Sequence, residues 1–408
     1  MRVRRFCHYR EHPDLRLRDS PGSYVISGSW PAGILRANRF QGVTDRVCEW
    51  EELLMTFQPP HRPSGRSVWL GKDLVRTDDW IVRLSPATLE EIDAAVRRLR
   101  GRNAYDAPVA REEFPLATMA DDLARMRREI ATGRGFFVFR GLDKDRYCDN
   151  ELGLIFRGFG AHFGHELTQS AFGDRLGDIR DISDILVERS KRRGYQSGGF
   201  QTAHTDPSGE VGIVAMLSLK MATSGGESLI ASAHTVHNML QDWCPDLLEE
   251  FYRGFVLRRP ESDAERMGRP PLIGNVPSFC YENGWLNCDF QHGYMRRAVE
   301  HGGTTISPKQ EAALGAFVAI SNHPDVMLKM MLKPGDFQFI NNRTILHGRA
   351  EFADHEAKEE RRHLFRLWIN VPEWPRMPAS QSTLVAADMA RWDAHAAQHR
   401  AATPGWAS

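Results

Sequence analysis

The sequence predicts a mainly β fold with α content, in which helices flank and interrupt a core sandwich or barrel. Three observations carry this. From Asp178 onward the chain breaks into many short strand-like runs punctuated by Gly and Pro. Amphipathic helical stretches precede these runs and interrupt them. With 408 residues, 41% of them hydrophobic, there is material for one large, elaborated β domain with a packed interior.

Residues 1–75 are rich in Arg, Gly and Pro, with scattered aromatics (Trp30, Phe40, Trp50, Phe57) and no clear period. They read as an N-terminal elaboration packed on the core. Regular structure begins near Asp79, where Trp80–Leu84 is a short strand. Ser85-Pro86 then opens a helix, with Ser85 at the N-cap and Pro86 at the first helical position. A second amphipathic helix spans about Leu116–Thr132 and stops at Gly133-Arg-Gly. Phe136–Arg140 is a strand, and helix recurs at about Asn150–Phe163. Strands are then expected at Ile179–Ile182, Gly212–Leu219, Glu227–Ala231, Phe255–Arg258, Phe279–Tyr281, Val326–Leu332, Asp336–Ile340 and Leu364–Asn370. Helices are expected at about Ala233–Trp243, Asp246–Tyr252 and Ser307–Asn322. The organisation is an elaboration over 1–75, a catalytic domain over 76–376 and an Ala-rich helical tail over 377–408.

Bulk properties narrow the function. Lys+Arg and Asp+Glu both number 53, so the formal net charge is zero and no nucleic-acid or membrane-surface partner is indicated. The basic residues are mostly Arg, a preference we read first as codon usage. The positively charged start lacks an apolar run behind it, unlike a secretory signal. The longest run free of charged side chains, Ser20–Leu35, is broken by Gly and Pro. A membrane span needs roughly 20 apolar residues. Six cysteines without a CxxC pair read as free thiols of a cytoplasmic protein. Cys7, His8 and Cys48 lack the tight paired spacing of a zinc site. Oligomerisation is left open.

The chemistry lies in two segments. His204-Thr-Asp206 places an imidazole and a carboxylate two residues apart, on one face if the backbone is extended. His347 follows 141 residues after Asp206, behind the core strand Phe337–Ile340. Two imidazoles and one carboxylate form the ligand set of a non-haem Fe(II) oxygenase, with open positions opposite. H-x-D alone is weak and fits an ordinary strand end. The apolar strand Val211–Leu219 behind it suggests the mouth of a barrel. Centres of this kind use 2-oxoglutarate, whose far carboxylate needs a cation deep in the barrel. Arg362 suits that role, because a guanidinium fork matches a carboxylate and stays charged when desolvated. Period two puts Arg362, Leu364 and Arg366 on one face and His363, Phe365 and Leu367 on the other. Arg361 reads as surface charge.

These segments resemble the taurine-dioxygenase-like Fe(II)/2-oxoglutarate oxygenases, including γ-butyrobetaine hydroxylase and clavaminate-synthase-like enzymes. The likeness covers about residues 75 to 372. It rests on His204-Thr-Asp206, Gly225-Gly-Glu-Ser228-Leu, Asn342-Arg-x-x-Leu-His347-Gly-Arg349 and Arg362-His-Leu-Phe-Arg366. It implies a double-stranded β-helix (jelly-roll) core and Fe(II) held by His204, Asp206 and His347. It further implies that Ser228 hydrogen-bonds 2-oxoglutarate, that Arg362 holds its C5 carboxylate, and that Arg366 reaches co-substrate or substrate. O2 is the oxidant and ascorbate the expected reductant. Halogenating relatives replace the carboxylate with a small residue, so Asp206 points to hydroxylation or another C–H oxidation. Residues 1–75 do not match the cysteine-rich zinc domain of some γ-butyrobetaine hydroxylase-like members, which argues against a betaine substrate.

The expected reaction is therefore oxidation, foremost hydroxylation, of an unactivated C–H in a small acidic, amino-acid-like or natural-product substrate, with release of succinate and CO2. Arg366 and Arg349 near the pocket favour an acid, amino acid or zwitterion. A competing reading is a non-oxidative cupin-type isomerase or ligand sensor, which has no need of Arg362 and Ser228. A third is a non-catalytic interaction protein using residues 1–75. Gln169 is read as facing the pocket or making a structural hydrogen bond. His162 and His165 are read as capping or core residues, and His234 and His237 as surface or cap residues. Asp289, Tyr281, Asn283, Asn287 and Trp368 are candidate pocket residues.

Overall fold

A computed structural model describes residues 57–182 and 198–402, together with two strands nearer the N-terminus. The chain forms two compact units, Met1–Gln58 and Pro59–Ser408. In the first, β1 (Leu15–Leu17) pairs antiparallel with β2 (Tyr24–Ile26). The remainder of that unit, including Cys7, His8 and Cys48, lies outside the described residues except for its last two positions.

The second unit begins with α1 (Gly71–Leu74) and β3 (Ile81–Arg83). Helix α2 (Pro86–Arg98) is capped as its sequence requires, with Ser85 Oγ accepting from the Thr88 N–H at 3.1 Å. Helix α3 (Ala120–Thr132) buries Leu123, Met126 and Ile130, one helical stripe. Next come β4 (Phe136–Arg140), α4 (Asp149–Ala161), β5 (His165–Leu167) and β6 (Gly177–Ile179). Beyond residue 198 come β7 (Gln201–His204), β8 (Ile213–Lys220), β9 (Ser224–Gly225) and β10 (Ser228–Ser232). Helices α5 (Ala233–Trp243) and α6 (Pro245–Arg253) then open a long excursion. It continues through β11 (Phe255–Arg258), α7 (Glu261–Met267), β12 (Leu272–Val276), β13 (Phe279–Glu282), β14 (Trp285–Cys288), α8 (His292–Glu300) and α9 (Pro308–Ser321). The chain returns through β15 (Leu328–Met330), β16 (Phe337–Asn341), β17 (Ile345–Arg349), β18 (Phe352–Ala353) and β19 (His363–Asn370), and ends in α10 (Ala386–Ala402).

Two sheets make the jelly-roll core. The larger runs β3-β4-β16-β8-β19-β5, with β6 also on β19; the smaller runs β15-β10-β17-β7. All their pairings are antiparallel except β3 with β4. The larger sheet is buried on both faces, which is why β4, β8 and β16 read as almost unbroken apolar runs. Phe137, Phe139, Ile213, Ala215, Leu217, Phe337, Phe339, Phe365 and Leu367 pack on the helical side with α2, α3 and α4. Phe159 of α4 stacks on Phe337 with ring centroids 4.7 Å apart. The alternate residues Phe136, Val138, Val214, Ile340, Leu364 and Trp368 join Ile230 and Ile345 of the smaller sheet in a second core cluster. Trp69 and Leu74 also belong to it.

Some local expectations shift. The strand expected at 179–182 is Gly177–Ile179, drawn back by pairing with β19. His347 follows the strand Phe337–Asn341, as expected, and itself lies in a further strand, β17. His234 and His237 are buried, not surface residues. Helix α5 begins inside the structure: His234 bonds Ser67 Oγ (2.9 Å) and the Leu286 carbonyl (2.9 Å), and His237 meets Tyr252 Oη at 2.9 Å. Burial pushes both imidazoles down to about 4. Among the described residues, no helix is long and apolar enough to cross a membrane.

Candidate metal centre

β17 lies against β7 with His347 directly opposite His204, so the two rings share a face with centroids 4.4 Å apart. β7 ends at His204, and the chain turns so that Asp206 reaches the same point. Asp206 Oδ1 is 4.0 Å from His204 Nε2 and 3.8 Å from His347 Nε2. One ligand atom from each residue lies within 4.8 Å of the others. The Nδ1 of His204 is 2.8 Å from the Thr202 carbonyl. A carbonyl only accepts, so Nδ1 carries the proton and the Nε2 lone pair faces inward. Burial, with His204 adding to it, pushes His347 down to about 3, which keeps it neutral. Burial alone would raise the Asp206 carboxyl. Arg366, the two imidazoles and the Trp368 indole outweigh burial and hold it below the usual carboxylate range. The neutral His347, a second imidazole whose Nδ1 is engaged by a backbone carbonyl, and one anionic oxygen converge as a ligand set that fits Fe(II).

The backbone that carries Asp206 is fixed from behind. The Asp206 N–H donates to Asn342 Oδ1 (2.9 Å), and Asn342 Nδ2 donates to the Asp206 carbonyl (3.1 Å). Thr205, pointing the other way, accepts from the Phe290 N–H at 3.0 Å and donates to Asp289 Oδ1 at 3.4 Å. Burial pushes the Asp289 carboxyl up to about 7. Trp368 Nε1 donates to Asp206 Oδ2 at 2.6 Å, and Arg366 Nη1 stands 3.5 Å from the same oxygen.

The triad lines one cavity with Ser228, Arg362, Arg366, Arg349 and Gln338, closed by Met216, Leu332, Ile340 and Leu364. Arg362 is 8% exposed; its Nη2 donates to the Gly226 carbonyl at 3.3 Å and its guanidinium lies 5.2 Å from the Phe352 ring centroid. Burial, reinforced by Arg349, pushes it down to about 9. Gly226 sits at φ +77°, a conformation L side chains rarely adopt, and a Cβ there would also crowd Arg362 Nε at 3.0 Å. Ser228 Oγ donates to Gln338 Oε1 at 3.0 Å. A larger cavity of about 1020 Å³, bordered by Arg127, His162 and Trp374, shares no lining residue with this one.

All six residues singled out from sequence therefore border one space. Gln169 makes structural bonds: it donates to the carbonyls of Arg175 and Arg366 (both 2.8 Å) and accepts from Arg366 Nε (2.7 Å). Tyr281 stacks on His61, and Asn283 (φ +54°) turns the β13–β14 hairpin. His162 bonds the Phe114 carbonyl (2.8 Å) and His165 is exposed. Sequence reasoning overlooked Gln338, Phe352 and the clamp by Asn342. The first two carry no motif. Asn342 stands inside the motif that ends in His347, but its residue type there does not reveal that it grips the Asp206 backbone.

A model of the taurine catabolism dioxygenase TauD, TfdA family matches residues 97–368. FR-33289 synthase of Streptomyces rubellomurinus is 30% identical over 327 residues, 78% of this chain and 94% of that protein. The taurine hydroxylase-like protein SAT17 of Stachybotrys chartarum is 30% identical over 312 residues, 73% of this chain and 77% of that protein. Among solved structures, asparagine oxygenase with Fe(II), 3-hydroxyasparagine and succinate superposes with a TM-score of 0.58 at 17% identity, covering 75% of this chain and 99% of that one. The iron oxygenase OrfP with Fe and alpha-ketoglutaric acid gives 0.52 at 16% identity, covering 74% and 99%. The chain belongs to the TauD/TfdA family. It is an iron- and 2-oxoglutarate-dependent oxygenase, and the reading as a non-oxidative isomerase or sensor is set aside.

Proposed function

We propose that this oxygenase hydroxylates an unactivated C–H bond of a small acidic, amino-acid-like or natural-product substrate. In this reading His204, Asp206 and His347 hold the iron, and residues 76–376 form the catalytic domain, with 377–408 a helical tail. The observation that carries it is the convergence of three ligand atoms within 4.8 Å, in the same cavity as a buried Arg362. Iron with 2-oxoglutarate supplies the oxidising power, releasing succinate and CO2 as the substrate is oxidised.

The side chains do the rest. Arg362 and Ser228 take the far carboxylate of the co-substrate, because a guanidinium buried among apolar walls gains most from an anionic partner. Met216, Leu332, Ile340 and Leu364 exclude water along its carbon chain. The capped His204 and neutral His347 present lone pairs without a proton to displace. The substrate class is supported by the hydroxylated amino acids bound to asparagine oxygenase and OrfP and by the taurine hydroxylase-like relative.

The test is succinate formation from 2-oxoglutarate with Fe(II), ascorbate and O2, screened across free amino acids and taurine. His204→Ala and Asp206→Ala are expected to lose turnover with whichever compound stimulates it. Undiminished turnover in both variants would dismiss the ligand assignment.

A further inference from the structure

The Asp206 carboxylate has two oxygens in different surroundings. Oδ1 faces the two Nε2 atoms at 4.0 and 3.8 Å. Oδ2 is turned away and accepts the Trp368 indole N–H at 2.6 Å, with Arg366 Nη1 at 3.5 Å. Both donors come from the inward face of β19, two residues apart, and the guanidinium lies 5.0 Å from the indole ring centroid. Trp368 is 3% exposed and packs in the inner core; its ring borders Pro207, Leu384 and Trp392. The indole therefore cannot turn its N–H elsewhere. Arg366 is held by Gln169, which is itself tied to two backbone carbonyls.

We propose that Trp368 is a positioning residue that ties up Oδ2, so that Asp206 offers the metal Oδ1 alone. This rests on the reading of Asp206 as a metal ligand. A carboxylate free at both oxygens can chelate a metal through both and use a position the co-substrate requires. An indole N–H suits this role because it only donates, carries no charge that would neutralise the carboxylate, and has no exchangeable partner in a dry core. Arg366 Nη1 stands beside the same oxygen at 3.5 Å. The Nε of Arg366 is committed to Gln169, and its side chain also borders the cavity in which co-substrate or substrate would bind.

The experiment is an anaerobic Co(II) titration of the full chain, read by the d–d absorption of the bound ion, which reports affinity and coordination number. It compares wild type, Trp368→Phe, Trp368→3-benzothienylalanine and Asp206→Ala. The benzothienyl side chain keeps the shape of the indole and replaces its N–H with sulfur, so folding is retained; the thermal midpoint of each metal-free protein checks this. Loss of the N–H is expected to weaken Co(II) binding about 10- to 100-fold, the usual effect of removing a partner of a ligand, and to change the d–d intensity. Wild-type affinity and an unchanged spectrum in the benzothienyl variant would overturn the proposal. Wild-type binding by Asp206→Ala would instead sink the ligand assignment beneath it.

Discussion

Arg362 carries a positive charge where a charge is costly, at 8% exposure among apolar walls and beside the guanidinium of Arg349. Its side-chain hydrogen bond to the Gly226 carbonyl reaches only a neutral acceptor. Such a group gains disproportionately from an anion that enters the cavity. Arg362→Gln keeps most of the stem and one donor but removes the charge. It is expected to weaken 2-oxoglutarate binding roughly 10- to 150-fold, since a hydrogen bond to a charged group contributes about 1.5–3 kcal/mol. Fe(II) affinity should be unchanged. Calorimetric titration of 2-oxoglutarate into the anaerobic Fe(II) protein measures this, and equal affinity in both proteins would remove Arg362 from the co-substrate site. In sequence this residue was singled out by the need for a buried cation and by its motif, and period two grouped it with Leu364 and Arg366. Trp368 was only one of several candidate pocket residues in sequence, and its hydrogen bond to Asp206 carried no signal there.

Elements whose sequence answers to packing alone were the legible ones. Helix α2 announces itself by Ser85-Pro86 and α3 by its apolar stripe, while β8 and β19 are read from apolar runs because they are buried on both faces. The strands that line the cavity were harder. β7 (Gln-Thr-Ala-His) and β17 (Ile-Leu-His-Gly-Arg) spend their inward positions on polar side chains, so motif, not periodicity, located their residues. The excursion between α6 and α9 mixes short pairs with short helices, and β12, β14 and α7 leave no regular pattern. Helix α4 shows the opposite extreme. It is buried on nearly all sides, and its glycines let neighbours approach: a Cβ on Gly158 would overlap the Phe114 ring, and one on Gly160 would press Leu367 of β19. In an exposed helix Gly→Ala stabilises by about 1 kcal/mol. Here Gly158→Ala is expected to destabilise by about 1–3 kcal/mol through overpacking. A urea titration should show a lower midpoint at unchanged slope, and a raised midpoint would show that Phe114 can move aside.

At the scale of the whole fold, the site joins the two sheets. His204 and His347 stand on the smaller sheet, whereas Trp368 and Arg366, which hold Asp206, stand on the larger, with Arg362 just before β19. The candidate members of this site could be picked from sequence because four short motifs survive as local patterns. It could not supply the arrangement, which depends on β17 lying beside β7 across 141 residues of separation between Asp206 and His347. The arrangement has a thermodynamic consequence. A co-substrate that chelates the metal at one end and meets Arg362 at the other spans both sheets, so each ligand must favour the binding of the other. Bound ligand at about 100 times its dissociation constant stabilises the native state by about 2.7 kcal/mol. Under anaerobic conditions Fe(II) alone should therefore raise the thermal midpoint by a few degrees, and 2-oxoglutarate alone by much less. Both together should exceed the sum of the separate shifts. In Asp206→Ala that excess should vanish along with the Fe(II) shift. If 2-oxoglutarate raises the midpoint equally with and without metal, it binds without touching the ion, and the cavity does not couple its two ends.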